Sequence, residues 1–113
     1  PEPYLTVLKY KPYRDSLIKF RLAVSPILTH RNKFYTNKNN VCPMCKRHEE
    51  NEFHFILECP ELEDLRKTLI APRYLLYRSM QTLHILLSKD ELLFTSGKFI
   101  FFAMKHRDKI CLT

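Results

Sequence analysis

Four side chains in the middle of the chain have the types and spacing of a metal site. Cys42, Cys45, His54 and Cys59 form the pattern C-x2-C-x8-H-x4-C. Zn²⁺ takes four nitrogen or sulfur ligands in tetrahedral geometry, and a two-residue spacer lets both thiolates of a tight turn face one ion. A Cys3His set fills all four positions and leaves none for a water molecule. The pattern therefore predicts one structural Zn²⁺ and no metal-centred catalysis.

Other uses of these residues fit the sequence less well. A redox dithiol is expected at a helix N-terminus in a βαβ unit, but residues 35–41 before the first cysteine are a polar loop. A disulfide framework is allowed by the even cysteine count, although a Cys-Pro-Met-Cys turn is more typical of a metal knuckle. His48 could replace His54, but three ligands would then crowd into seven residues. We favour His54, and we expect Cys111 to be a spare thiol.

The segment between His54 and Cys59 needs a break in its helix. Five residues along an ideal helix rotate by roughly 500°, so these two side chains would lie about 140° apart. Pro60 pushes the residue before it out of the α region and suits the first position of a new helix. We therefore expect a short helix that carries His54 and ends at Cys59, followed by a helix that begins at Pro60. The metal would pin these two helices together and contribute folding free energy directly.

The remaining chain predicts a mainly α fold, a small helical domain stabilised by one Cys3His zinc knuckle. Apolar residues recur at helical spacing, no segment shows useful β alternation, and Gly97 is expected to mark close packing within the last helix. Ser88-Lys89-Asp90-Glu91 matches a capping box and predicts that this helix starts there. We expect helices over 15–24, 81–88 and 89–109, and a single domain over 1–113 with a basic helical lead-in (1–41), the zinc knuckle and its following helix (42–70) and C-terminal helices (71–113).

Charge is distributed unevenly along the 113 residues, whose net charge is +7. Residues 9–47 hold ten Lys or Arg against one acid, whereas residues 48–65 hold seven acids and no Lys or Arg. A basic first third predicts an anionic partner, with nucleic acid ahead of an acidic protein face or a membrane surface.

Several classes of protein are excluded or disfavoured by composition. A single glycine leaves no room for a P-loop or a dinucleotide fingerprint. No apolar run approaches the roughly 18 residues of a membrane span, so no membrane partner is expected. The chain starts at Pro1 without a signal peptide, which indicates an intracellular protein, nuclear or cytoplasmic, and a piece of a longer chain.

A family resemblance covers roughly residues 14–70. The Cys-Pro-Met-Cys turn, the acidic loop after it, residues 52–60 and Leu65-Arg66 resemble the CCHC zinc-binding segment C-terminal to reverse transcriptases of non-LTR (LINE-type) retrotransposons, or a captured copy of it. Residues 16–22 and 30–35 are similar to the basic-aromatic stretch that precedes the first cysteine in that family. The resemblance implies the same four metal ligands and a nucleic-acid-binding accessory module beside a polymerase domain of the same polyprotein.

Such a module would bind RNA or target DNA mainly through the phosphate backbone. Phe34 and Tyr35 would stack on unpaired bases, or alternatively pack beside the metal. RNA and DNA, single strands and duplexes all remain open at this stage. The expected nucleic-acid contacts are Lys19, Arg21, Arg31, Lys33, Tyr35, Lys38, Lys46 and Arg47.

The alternative is a protein–protein interaction or self-association module with a purely structural zinc. The acidic loop around Glu49 to Glu52 and the strongly apolar helix near Phe99 would then form the contact surfaces. An enzyme is not expected, because the closed metal set leaves no water on the ion and no nucleophile–base pair or paired-Asp polymerase motif is found.

Overall fold

Helices and turns make up the described part of the chain, as the sequence predicts. A computed structural model describes residues 11–34 and 39–111. In those ranges the only β pairing is an isolated bridge between Val41 and Glu49. The elements are α1 (Lys11–Arg21), α2 (Leu28–Arg31), a π-helix (His54–Glu58), a 3₁₀ turn (Pro60–Leu62), α3 (Glu63–Leu69), α4 (Pro72–Leu75), α5 (Met80–Ser88), a second 3₁₀ turn (Asp90–Leu92) and α6 (Leu93–Cys111).

The central element is α6, which packs against α1, α3 and α5. Neighbours on several sides explain why this helix is apolar almost all round, with Phe99, Ile100 and Ala103 fully buried. A Cβ atom at Gly97 would lie 2.7 Å from the carbonyl oxygen of Tyr13. The expectation that Gly97 marks close packing is therefore confirmed, since only a residue without a side chain lets α1 approach so closely. No helix within 11–34 or 39–111 has the length and apolar content needed to cross a membrane.

The start of α6 differs from the prediction. The Ser88 hydroxyl donates to the carbonyl of His84 at 2.6 Å, so Ser88 closes α5 instead of opening α6. Lys89 occupies the N-cap position of the second 3₁₀ turn without a side-chain cap, and α6 begins at Leu93. The predicted capping box is wrong because a serine hydroxyl can bond back to the carbonyl four residues earlier.

The end of α1 is also earlier than expected, at Arg21 instead of residue 24. Ala23 adopts φ 58°, in the left-handed region. Its N–H donates to Phe20 at 3.1 Å, and the Val24 N–H donates to Lys19 at 2.9 Å. These two bonds form a Schellman motif that satisfies the last carbonyls of the helix. Backbone geometry, and not the proline at position 26, therefore ends α1.

A buried ion pair joins the knuckle segment to α6 across 57 positions of sequence. Arg107 donates to both carboxylate oxygens of Glu50, from Nε at 2.6 Å and from Nη2 at 2.8 Å. Burial works against the charged guanidinium, but the hydrogen bonds and charge of Glu50 offset it, and the pKa of Arg107 is raised. Glu50 also accepts the Leu28 N–H at 2.8 Å, so one carboxylate holds the knuckle, α2 and α6 together.

Candidate metal centre

The first two candidate ligands lie in a tight turn closed by backbone hydrogen bonds. The Cys42 N–H donates to the carbonyl of His48, and the Lys46 N–H donates to the carbonyl of Cys42, both at 2.8 Å. Lys46 takes φ 60°, a left-handed conformation that reverses the chain at this point. The turn brings the thiols of Cys42 and Cys45 to the same side of the backbone.

The other two ligands lie on the π-helix and at its end. Asn51 Oδ1 accepts the His54 N–H at 2.8 Å at the start of this element. Cys59 has left the helical region (φ −57°, ψ 120°), and Pro60 occupies the first position of the 3₁₀ turn. The predicted break at Cys59 is therefore confirmed.

The π winding itself was not predicted from the sequence. It is defined by the Cys59 N–H, which donates to the carbonyl of His54 five residues back at 2.8 Å. A π turn is wider than an α turn, so Cys59 returns closer to the face that carries His54 than an α-helix would allow. The wider turn and the proline together bring the two ligands to one site.

The four ligand atoms lie within 4.8 Å of one another. The sulfurs of Cys42 and Cys59 are 3.9 Å apart, and Cys45 Sγ lies 3.3 Å from His54 Nε2. A tetrahedral ion with Zn–S bonds of about 2.3 Å would hold its sulfurs about 3.8 Å apart. Both cysteines are free, since a disulfide would need an S–S distance of about 2.05 Å. The cluster is thus spaced to hold a metal ion, which confirms the grouping predicted from the sequence.

Hydrogen bonding at the cluster favours a thiolate at Cys42. The Cys59 thiol donates to Cys42, and this bond, with others from His54 and the amides of Met44 and Cys45, lowers the pKa of Cys42 to about 3 despite burial. The same contact and burial raise the pKa of Cys59. A coordinated divalent cation deprotonates the thiols that bind it.

The remaining ring nitrogen of His54 has the environment expected for a metal ligand. Among the described residues, His54 Nδ1 is a buried side-chain atom without a hydrogen-bond partner, while Nε2 faces the sulfurs. Glu58 Oε1 lies 3.7 Å from Nδ1, one turn further along. A metal-bound histidine usually donates its other N–H to such a carboxylate. His48 lies outside the cluster with its ring 5.6 Å from that of His54, in agreement with the preference for His54.

Arg66 supports the cluster from behind, a role that the sequence analysis did not assign. Its side chain is fully buried and donates to the carbonyls of Ile56 at 2.7 Å and Cys59 at 3.1 Å. It also pairs with Glu63, while burial lowers its pKa. Carbonyls at a helix end need such donors. The sequence indicates this burial through spacing, because Arg66 follows Leu62 by four residues and therefore lies on the same, buried face.

The predicted nucleic-acid contacts are exposed wherever the structure describes them. Tyr35 and Lys38 lie outside the described residues. None of the other six takes part in a salt bridge within 11–34 and 39–111. Phe34 is 84 % exposed, so its alternative role of packing beside the metal is wrong. The exposed contacts are Lys19, Arg21, Arg31, Lys33, Lys46 and Arg47.

Hydrogen bonds fix the segment that carries Arg31 and Lys33 to the knuckle. Thr29 donates to the carbonyl of Glu50 from its hydroxyl at 2.9 Å and its N–H at 3.3 Å. Asn32 donates to the side chain of Asn40 at 2.9 Å. The stretch of chain that carries Arg31 and Lys33 is therefore bonded to the short segment that carries the first two candidate ligands.

The acidic loop is less available to a partner than the sequence suggested. Glu50 is 0 % exposed and is bound to Arg107. Glu52 lies 3.2 Å from the buried ring of His30, whose pKa is lowered by burial and raised in part by that carboxylate, with a net decrease. Of the three acids expected on a contact surface, Glu50 is thus buried, and Glu52 remains partly exposed beside His30.

Comparison with known protein families, with curated proteins and with solved structures finds no match to this chain. The fold and the Cys3His cluster consequently rest on the geometry described above. The resemblance to the retrotransposon CCHC segment stays a prediction.

Proposed function

We propose that this chain is a zinc-dependent nucleic-acid-binding module, the accessory domain of a reverse-transcriptase-type retrotransposon protein or a captured copy of it. The observation that carries the proposal is the set of six exposed basic side chains, four of which lie on the knuckle or on the segment bonded to it. The cluster orders these segments, and the cations on them meet phosphates. Binding RNA or DNA through the backbone follows from that arrangement.

Zinc is the metal that suits the donor set. Thiolate and imidazole ligands in tetrahedral geometry favour Zn²⁺ over Mg²⁺, Ca²⁺ and Mn²⁺, which prefer oxygen. Cys42, Cys45, His54 and Cys59 would hold it. The ion supplies folding free energy and no reaction, because four protein ligands leave no open coordination position.

The metal is tested by loading, removal and substitution. We expect one zinc per chain by elemental analysis, loss of helical circular dichroism on chelation, and its return when Zn²⁺ is added. Cys59→Ser should reproduce the chelated state, whereas Cys111→Ser should not, since Cys111 is exposed and outside the cluster. A chain that folds equally well with chelator would refute a structural metal.

Nucleic-acid binding is tested by fluorescence anisotropy with single-stranded RNA, single-stranded DNA and duplex DNA across a salt series. Each phosphate neutralised contributes a slope of log K against log salt of about −0.7 for single strands and about −0.9 for duplexes. We expect a steep slope. The nucleic acid with the lowest Kd identifies the class that this chain binds. Exposed Phe34 provides a stacking surface for an unpaired base, which favours single strands.

Charge reversal locates the binding surface. The double variant Arg31→Glu, Lys33→Glu should weaken binding. It should also reduce the slope of log K against log salt by the contribution of about two phosphate contacts. The matched control is Lys67→Glu with Lys89→Glu, because both lysines are exposed and lie outside the predicted surface. Equal losses in the two double variants would indicate a non-specific effect of net charge and would contradict the proposal.

A protein-interaction module is the second candidate, and one surface feature favours it. Leu76, Tyr77 and Met80 are 74 %, 84 % and 67 % exposed, and they lie close in sequence, from the residue after α4 to the first residue of α5. Grouped exposed apolar side chains of this size commonly mark contact sites. Concentration-dependent association in light scattering without nucleic acid, abolished by Tyr77→Ser, would support this function, whereas a monomer at high concentration would count against it.

A further inference from the structure

A groove between α1 and α6 has features of a ligand site that the sequence did not suggest. It has a volume of about 280 Å³, slightly below the range of about 300–1,000 Å³ typical of pockets for drug-sized ligands. The space is therefore suited to a flat ring of modest size. Its lining residues are Ser16, Lys19, Ser25, Pro26, Phe101, Met104, Lys105 and Asp108.

Three apolar side chains line the groove. Phe101 and Met104 are half-buried, and Pro26 is exposed. The Phe101 ring has two aromatic neighbours, because its centroid lies 5.4 Å from that of Tyr13 and 5.2 Å from that of Phe102. Packing against two rings restricts its motion, so Phe101 offers an ordered surface for stacking.

Two lysines are among the residues that line this groove. Lys19 on α1 and Lys105 on α6 are both exposed, and Lys105 Nζ lies 4.9 Å from the centre of the Phe101 ring. No salt bridge within 11–34 and 39–111 engages either lysine. An ammonium group above an aromatic face is displaced without large cost when a base stacks there, because the contact is exposed to solvent.

We propose that this groove binds one unpaired nucleotide of a nucleic-acid strand, with its base on Phe101 and Met104 and its phosphate between Lys19 and Lys105. The proposal rests on the proposed function and adds a contact region that shares Lys19 with the contacts expected from the sequence. Asp108 also lines the groove, and its carboxylate would accept hydrogen bonds from an exocyclic amino group of a base. A base in a duplex is stacked and paired, so the groove discriminates in favour of single strands.

The first test fills the groove without changing charge. Ser16→Trp should weaken binding to single-stranded oligonucleotides by about tenfold or more, the equivalent of one lost base stack, and leave duplex binding within about twofold. Gln81→Trp is the matched control, because Gln81 is exposed on α5 and does not line the groove. Circular dichroism and zinc content establish that each variant is folded.

The second test keeps the groove open and removes a cation. Lys105→Gln should weaken single-strand binding and reduce the salt slope by about 0.7, one phosphate contact, whereas Lys67→Gln should change neither. A strand of abasic phosphates should bind the wild-type chain more weakly than oligothymidylate of the same length, and Ser16→Trp should reduce that difference.

The results separate the two proposals. Loss of single-strand preference in Ser16→Trp and Lys105→Gln supports the groove. Tight binding by the wild-type chain with no more effect in these variants than in Gln81→Trp and Lys67→Gln overturns the groove and leaves the proposed function intact. No binding of the wild-type chain to any nucleic acid overturns both.

Discussion

The pair formed by Glu50 and Arg107 is the sharpest place to test how this small domain is held together. Glu50 is 0 % exposed and the Arg107 side chain 6 % exposed, and two hydrogen bonds of 2.6 and 2.8 Å join them. Replacing one partner of such a buried pair leaves the other charge without compensation. The typical cost is about 3–5 kcal/mol, a large share of the roughly 5–15 kcal/mol that stabilises a domain.

Arg107→Met should therefore lower the free energy of unfolding by about 3–5 kcal/mol. The methionine retains much of the aliphatic packing of the arginine but cannot donate to the carboxylate. Adding Glu50→Gln should recover most of the loss, because the amide oxygen still accepts the Leu28 N–H that Glu50 holds at 2.8 Å. Replacement of a whole buried pair by neutral groups is often close to neutral in stability.

Urea unfolding of the zinc-saturated proteins at neutral pH, followed by circular dichroism, measures these differences. The double variant should be more stable than Arg107→Met alone, which is opposite to additive behaviour. Arg14→Met is a control for the loss of a positive charge. Arg14 pairs weakly with Asp15, at 3.9 Å and at a partly exposed site, and such pairs contribute about 0–1 kcal/mol to stability. A double variant as unstable as the sum of the single variants would refute the reasoning.

Three further predictions concern the metal centre and the core. Glu58→Gln should lower zinc affinity about tenfold in competition with a chelator, because Glu58 lies 3.7 Å from His54 Nδ1, whereas Glu61→Gln should not. Glu63→Gln should lower the free energy of unfolding by about 3 kcal/mol, because it leaves the fully buried Arg66 without its charge partner. Hydrogen bonds from Arg78 and Arg66 hold the pKa of Glu63 at about 2, below its ordinary 4.5. The stability that the Glu63 carboxylate contributes is complete above its pKa in the unfolded chain and is lost as the pH falls towards its pKa in the folded protein. The difference in unfolding free energy between wild type and Glu63→Gln should therefore stay constant from about pH 5 to 8. A difference that changes over this range would contradict the prediction. Gly97→Ala should destabilise by about 1–3 kcal/mol in thermal unfolding, since the new Cβ would lie 2.7 Å from a carbonyl of α1, and unchanged stability would show that α1 can shift.

The cluster of candidate metal ligands was predictable because the spacing of these residues carries geometric information by itself. Two thiols separated by two residues fit one turn, and a proline after Cys59 enforces the break that lets it share a site with His54. The close approach at Gly97 was predictable for a similar reason, since the single glycine of the chain lies inside an otherwise regular helix. In each case one local steric rule was sufficient.

The parts that sequence reasoning missed depend on partners distant in the chain. Nothing near Glu50 indicates that a residue 57 positions away will neutralise it, so the sequence predicts an acidic surface there. Arg66 likewise binds carbonyls seven and ten residues earlier in the chain, although its place on the buried face of α3 indicates that it faces the core. The error at Ser88 has a different origin, because a hydroxyl can cap the next helix or bond back into its own, and only the observed geometry distinguishes the two.

Long-range hydrogen bonds connect α2 to the segment that carries the first two candidate ligands. Helices of four residues such as α2 do not persist without tertiary support, and α2 receives that support from the carboxylate and carbonyl of Glu50. The turn at Cys42 folds the chain back on itself, so that the Glu50 N–H donates to the carbonyl of Asn40 and Glu49 pairs with Val41. The position of α2, which ends at Arg31, therefore depends on hydrogen bonds to the same segment that carries Cys42 and Cys45.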